Sequence, residues 1–310
     1  MEKKLLSKLM DKLSERNVNV LVLSEQGGSG KSHITTNGID QSRKLAIETA
    51  AYLMDTKATA TLNRMGQKDS FGKPEQNPSK QDALLGVQQF DILNQNGYSK
   101  EQHAEIKEQF IASLKKKVPV SWFDFPGQGI TIFNNLYEKG ESVDGEVVDD
   151  EKAFFLKRSK KDYVIVIPVN EEKSLTSINL ALDTFTFTGT YESLNERFKF
   201  VIIYNPKTDT PSLSYEAFLQ TEEYERLAAL GNRFKLLKTA YIDAKVLTAI
   251  QDDNIPFSHY YDVEEDEPIE ANIPKEYANG KEDIFSAKIR KLFVGPNGFP
   301  HIVKEILNWE

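Results

Sequence analysis

Along this chain, short and nearly unbroken apolar runs alternate with longer stretches in which apolar residues recur every three or four positions. The runs lie at 17–23 (NVNVLVL), 52–56, 118–123 (VPVSWF), 163–168 (YVIVIP), 200–205 (FVIIYN) and 234–242. Residues 45–49 compete with 52–56 for the second strand. Helical periodicity marks 80–93 and 100–117 among the intervening stretches. Strands that show no polar face are covered on both sides. The predicted fold class is therefore α/β, a mostly parallel sheet with helices on both faces. There is no internal repeat. Residues 1–16 carry Leu5, Leu6, Leu9, Met10 and Leu13 at helical spacing, interleaved with charge. That is an amphipathic helix rather than a secretory leader, whose apolar core is uninterrupted. Asp11 and Glu15 dilute its basic face and argue against a membrane-surface role. The organisation expected is this helix followed by a single domain over 17–310, with acidic, solvated insertions near 138–151 and 262–270.

Composition narrows the picture. With 310 residues, 39 basic and 47 acidic, the net charge is −8, which argues against coating nucleic acid over the whole surface. The absence of cysteine excludes disulfides and thiolate metal sites. No apolar run approaches the roughly 20 residues that span a bilayer. A cytoplasmic location is expected. The histidines (His33, His103, His259, His301) show no metal-ligand spacing, and no Ser-His-Asp arrangement emerges.

The segment with the clearest chemistry is Glu25-Gln26-Gly27-Gly28-Ser29-Gly30-Lys31-Ser32, directly after the first strand. A glycine-rich turn lets backbone N–H groups crowd around phosphate oxygens, and the next helix adds its positive end. Lys31 is placed to reach β- and γ-phosphates, and the Ser32 hydroxyl suits Mg²⁺. The strict pattern G-x-x-x-x-G-K-[ST] would place glycine at position 25, where this chain has Glu.

The loop resembles the deviant phosphate loop of the ParA/MinD family of P-loop ATPases, K-G-G-x-G-K-[ST], and the resemblance runs across most of the chain. Asp124-Phe125-Pro126-Gly127-Gln128 is similar to that family's D-x-P-[AG]-[GQ], where the Asp supports the Mg²⁺ shell and the Gly lets the loop respond to the γ-phosphate. Asp162–Leu175 looks like its next strand and loop. Asn205, before Pro206, falls where the family reads adenine, and Thr239–Leu247 resembles its T-x-I-P-x-D-x-x-x-L segment, placing Tyr241, Ile242 and Asp243 beside the base. By this resemblance ATP and Mg²⁺ are the cofactors. Lys31, Asp124 and Asp55 carry catalysis, and Ser32 and Asp124 hold the metal. Gln26, Gly27, Gly28, Ser29, Gly30, Lys31, Ser32, His33 (through its backbone), Asn205, Tyr241, Ile242 and Asp243 line the nucleotide. A guanine-reading N-K-x-D is absent, which favours ATP over GTP.

Two departures weaken hydrolysis. The family's signature lysine, which reaches the partner's phosphates in a sandwich dimer, is replaced by Gln26, which supplies no charge. The second carboxylate of the family's D-x-D on strand 2 aligns with Lys57 in Asp55-Thr56-Lys57, a cation that would partly restore the lost charge. The function these readings imply is a slow, ATP-dependent dimerising switch in plasmid or DNA partition, conjugative transfer or cargo positioning. A nucleotide-stabilised scaffold with negligible hydrolysis, or an ATP-dependent ligase on the same scaffold, are the alternatives. A homodimer and a protein partner are expected. Basic clusters at 115–117, 157–161 and 288–291 leave room for weak, non-specific, salt-sensitive contact with DNA.

Overall fold

The computed structural model describes residues 11–13, 15–55, 59–92, 99–137, 141–143, 146–148, 151–206, 208, 211–241, 244–251 and 254–309. Lys57, Ile242, Asp243 and the first ten residues therefore lie outside the described residues, as does part of 138–151. Of the N-terminal helix, 11–13 and 15–16 are helical, and Leu13 is buried.

Seven strands form one sheet: β1 (Val18–Val22), β2 (Thr49–Leu53), β3 (Gln88–Gln89), β4 (Val120–Asp124), β5 (Asp162–Val169), β6 (Phe198–Tyr204) and β7 (Phe234–Lys238). Their spatial order is β3-β2-β4-β1-β5-β6-β7. Every neighbouring pair is parallel. The α/β architecture read from the apolar runs is the one the chain adopts. Alternate strand residues feed two cores. Leu21, Tyr52, Phe123, Ile165 and Phe200 face α3 (Lys100–Lys115), α4 (Gly129–Asn135), α5 (Glu151–Ser159) and α6 (Leu175–Phe185). Val20, Ala51, Trp122, Val164 and Val201 face α1 (Lys31–Lys44), α2 (Thr59–Met65), α7 (Ala244–Gln251), α8 (Glu282–Ile289) and α9 (Phe299–Leu307). Burial on both faces is why the strands carry no polar alternation. The terminal helix α9 packs through Ile302, Val303 and Ile306. The 262–270 stretch forms a small hairpin whose Glu264 and Glu265 are exposed.

Two expectations need correction. The helix predicted over 80–93 does not form over its described residues, 80–92. A 3₁₀ turn (Pro78–Lys80), a tight turn and edge strand β3 stand there instead. Side-chain competition for backbone groups explains this. The Gln81 amide accepts from Gln67 N (2.9 Å) and donates to Glu75 O (2.8 Å), and Asp82 Oδ1 accepts from Leu84 N (2.7 Å). The second strand lies at Thr49–Leu53, between its two candidates, because Ala46 turns the chain out of α1 with a left-handed φ of 58°.

The strand order places the site. From β1 the chain crosses to β2 on one side, whereas β5 lies on the other. The order reverses at β1, and in open parallel sheets the carboxyl ends of the strands at such a reversal are where ligands bind. In register, Val22 at the end of β1 sits beside Asp124 at the end of β4.

Candidate functional site

The β1–α1 connection turns through two left-handed glycines, Gly28 (φ 69°) and Gly30 (φ 98°). Gly30 stands immediately before α1, and the helix begins with Ile34 N donating to Gly30 O at 3.0 Å. Only glycine takes this conformation at little cost. At position 30 a Cβ would also lie 2.3 Å from the Asn205 amide nitrogen, so that position is closed to any side chain. Gly27 and Gly28 are exposed, and nothing approaches the Cβ position of Gly27. Lys31 is buried, and its ammonium donates to Gln26 O at 2.8 Å and approaches Ser29 Oγ at 3.5 Å. Burial lowers its pKa, while the charges of Asp124 and Glu25 oppose that shift.

Asp124 is the buried acid of the site, 1% exposed. Its Oδ2 accepts from Thr61 Oγ1 at 2.8 Å, and Thr61 contacts Thr36 Oγ1 at 3.1 Å. Burial raises its pKa to about 6. The Thr61 and Ser32 hydroxyls and the Lys31 charge act against that rise, and Asp55 adds to it. Although Ser32 lies near enough to steady the carboxylate, Oδ1 has no hydrogen-bond partner of ordinary geometry among the described residues. A buried, unsatisfied carboxylate oxygen beside a serine hydroxyl fits a hard divalent cation, which takes oxygen donors. Ser32 and Asp124 are thus a suitable pair for Mg²⁺.

Asp55 follows β2 by two residues and is near enough to act on Asp124. Asn205 is tied to both neighbours: Nδ2 lies 3.3 Å from Ser29 O, and Oδ1 accepts from Thr239 Oγ1 at 2.9 Å. That brings the loop shoulder, the end of β6 and the start of the 239–241 segment together. Tyr241 is half-buried in that segment, and the adjacent Ala240 N donates to Asn297 O at 3.3 Å. The His33 ring turns away from the loop, edge-on to Phe257 (4.9 Å) and Phe299 (5.0 Å). Burial, aided by Arg64, pushes its pKa down to about 4. Gln26 points elsewhere too, its amide donating to Lys173 O at 2.7 Å in the loop after β5.

Three contributors were not singled out from sequence. Thr61 carries α2 to Asp124. Arg64, one turn further on, donates to Ile255 O (2.6 Å) and to Ile250 O and stacks 4.2 Å over Phe257, tying α2 to the end of α7. Glu25 reaches α4: its carboxylate accepts from Ile130 N (3.0 Å), Thr131 N (2.9 Å) and Thr131 Oγ1 (2.9 Å). Of the three, only Glu25 left a trace in the sequence, as the residue standing where the loop pattern has glycine.

No protein-family model matches the chain, and no curated protein matches it. Among solved structures it is similar to the MinD cell division protein of Aquifex aeolicus, at 14% identity and a TM-score of 0.39, covering 89% of this chain and 96% of that one. It is also similar to the MinC:MinD cell division protein complex of Aquifex aeolicus, at 15% identity and a TM-score of 0.37, covering 89% and 95%. Neither likeness is close enough to assign a residue, and the site stands on its own geometry. Among the described residues, no helix is long and apolar enough to cross a membrane, and no group of three or more His, Asp or Glu could hold a metal ion.

Proposed function

We propose that this chain is an ATP-binding switch of the ParA/MinD type, a slow ATPase that dimerises with ATP and acts in DNA partition, conjugative transfer or the positioning of a cargo. One observation carries the reading. At the switch point of a parallel sheet, a loop of left-handed glycines, a buried lysine and a serine converge on a buried carboxylate with one unsatisfied oxygen. The 27–30 backbone would cradle the phosphates at the start of α1. Lys31 would exchange the Gln26 carbonyl for a phosphate oxygen. Ser32 and Asp124 would hold Mg²⁺, which when bound neutralises charge on the β- and γ-phosphates. Asn205 and Tyr241 would face the base, and Asp55 would stand beside Asp124 on the metal side.

A second reading, a nucleotide-stabilised scaffold with negligible hydrolysis, is favoured by one specific contact. Gln26 stands where a charged residue would serve a partner subunit's phosphates, and its side chain is engaged by Lys173 O. The test is ATP binding, ATP turnover and molar mass, measured side by side with Mg²⁺ and with or without DNA, for wild type and Lys31→Ala. The switch reading expects Mg²⁺-dependent binding, a mass that doubles with ATP, and loss of both in Lys31→Ala. Dimerisation with no turnover selects the scaffold. Unaltered ATP binding in Lys31→Ala removes the phosphate-loop assignment.

A further inference from the structure

Glu25 makes more contacts than a residue at the mouth of a phosphate loop needs. Helix α4 begins after Gln128, which sits in the left-handed region (φ 61°) and supplies no side-chain cap. The amides of Ile130 and Thr131 would therefore lack a protein partner at a helix start where Gly129 and Ile130 are buried and Thr131 is exposed. Glu25, more than a hundred residues earlier in the chain, provides the missing acceptor: its Oε1 accepts from both amides, and its Oε2 accepts from the Thr131 hydroxyl. The backbones interlock as well. Gln128 N donates to Glu25 O (3.1 Å), Gly129 N to Ser24 O (3.2 Å) and Phe125 N to Val22 O (3.3 Å). Gly127 passes so near the phosphate loop that a Cβ on it would lie 3.4 Å from Gly27 N. From the other side, Ser177 Oγ on α6 accepts from Glu25 N at 3.0 Å and holds the residue in place.

We propose that Glu25 is a positioning residue: its carboxylate fixes the 125–131 segment to the phosphate loop and thereby sets where Asp124 stands for a divalent cation. This rests on the nucleotide-site reading above and extends it. Asp124 is the last residue of β4, immediately before the β4–α4 turn. Its backbone is anchored in the sheet on one side and, through α4, by Glu25 on the other. A glycine at position 25 would leave that second anchor to backbone bonds alone. A carboxylate there makes the metal-side loop and the phosphate loop move as one body. Any rearrangement of loop 26–31 around an oxyanion is then passed to α4 and, through the Phe133–Phe185 contact at 5.1 Å, to α6.

The test compares wild type, Glu25→Ala and Glu25→Gln, which keeps one acceptor without the charge. Hydrogen exchange of the Ile130 and Thr131 amides is followed in the ligand-free proteins, and ATP is titrated in Mg²⁺ and separately in EDTA. Exchange at these amides should quicken roughly two- to thirtyfold in Glu25→Ala, the range expected for a lost cap, and by less in Glu25→Gln. The gain in ATP affinity on adding Mg²⁺ should fall about tenfold in Glu25→Ala, as for other residues that orient a metal ligand, and recover in part in Glu25→Gln. Loss of affinity in EDTA should be smaller. Unchanged exchange overturns the proposal. So does an equal loss, or no loss, in Mg²⁺ and in EDTA, because a cap that served only stability would not discriminate between them. If wild type binds no ATP under either condition, the nucleotide reading fails, and the exchange comparison alone decides whether Glu25 holds the loop.

Discussion

Burial holds the Asp124 carboxyl at a pKa of about 6, against an ordinary value of 3.8, so stability and chemistry make opposite demands on it. An acid whose pKa is raised by folding binds more protons in the folded state. Its contribution to stability is complete below the unfolded value and declines as pH rises from about 4 to about 6. At pH 7.5 the folded protein carries a desolvated carboxylate at a cost on the order of 2–3 kcal/mol. Asp124→Asn removes that charge and keeps the acceptor toward Thr61. The ligand-free variant should therefore melt several degrees above wild type at pH 7.5, with the difference shrinking toward pH 4.5. The same variant should lose the Mg²⁺-dependent part of nucleotide binding. In wild type that part should fade as pH drops below about 6, where the carboxyl takes up its proton. Melting curves over this pH range and ATP titrations with and without Mg²⁺ check both halves. A destabilised Asp124→Asn at pH 7.5 would show that other bonds to this carboxylate outweigh its desolvation.

Among the elements, α1 joins the site to the sheet, and its position depends on one glycine. A Cβ at Gly38 would lie 2.5 Å from the outer edge of the Trp122 ring, whose indole donates to Ser42 Oγ at 3.1 Å. Replacing a mid-helix glycine by alanine normally gains about 0.5–1 kcal/mol, whereas overpacking a core costs about 1–3 kcal/mol. Packing dominates at such short range, so Gly38→Ala should lower the denaturation midpoint. Trp122→Phe, which removes the outer ring, should relieve part of that loss in the double variant, and a double-mutant cycle measures the coupling. This contact also marks what the sequence carried and what it did not. The strands were legible because burial on both faces leaves an unbroken apolar signature, and the glycine-rich turn between β1 and α1 because glycine spacing is local. The 80–93 segment was misread because its apolar spacing is helical, while Gln81 and Asp82 bind backbone groups that a helix would need. Thr61, Arg64 and the reach of Glu25 were hidden for another reason. Their partners lie 63, 191 and more than 100 residues away, and no local pattern encodes such distances.

Taken as a whole, the molecule carries −8 but does not spread its charge evenly. The sequence clusters at 115–117 and 157–161 meet at the amino ends of β4 and β5, the edge of the sheet opposite the phosphate loop. Lys161 is buried there and donates to the Lys116 carbonyl, which welds the two segments together. Lys115, Lys117, Lys157 and Arg158 remain exposed around that contact. In the third cluster, by contrast, Arg290 is paired with Asp266 at 2.8 Å. Contact with DNA should therefore be confined to the edge opposite the nucleotide site and be steep in salt. For about four phosphates neutralised, affinity should fall roughly 100-fold between 50 and 200 mM salt. Replacing Lys115, Lys117, Lys157 and Arg158 by alanine should abolish binding at 50 mM salt, while the same changes leave Mg²⁺-ATP titrations as in wild type, since the edge is remote from Lys31 and Asp124. Fluorescence anisotropy with a duplex of arbitrary sequence, repeated across the salt series, measures both. A flat salt response would place the contact elsewhere. Absence of binding by wild type at 50 mM would remove DNA from the list of partners and leave the acidic surface to a protein.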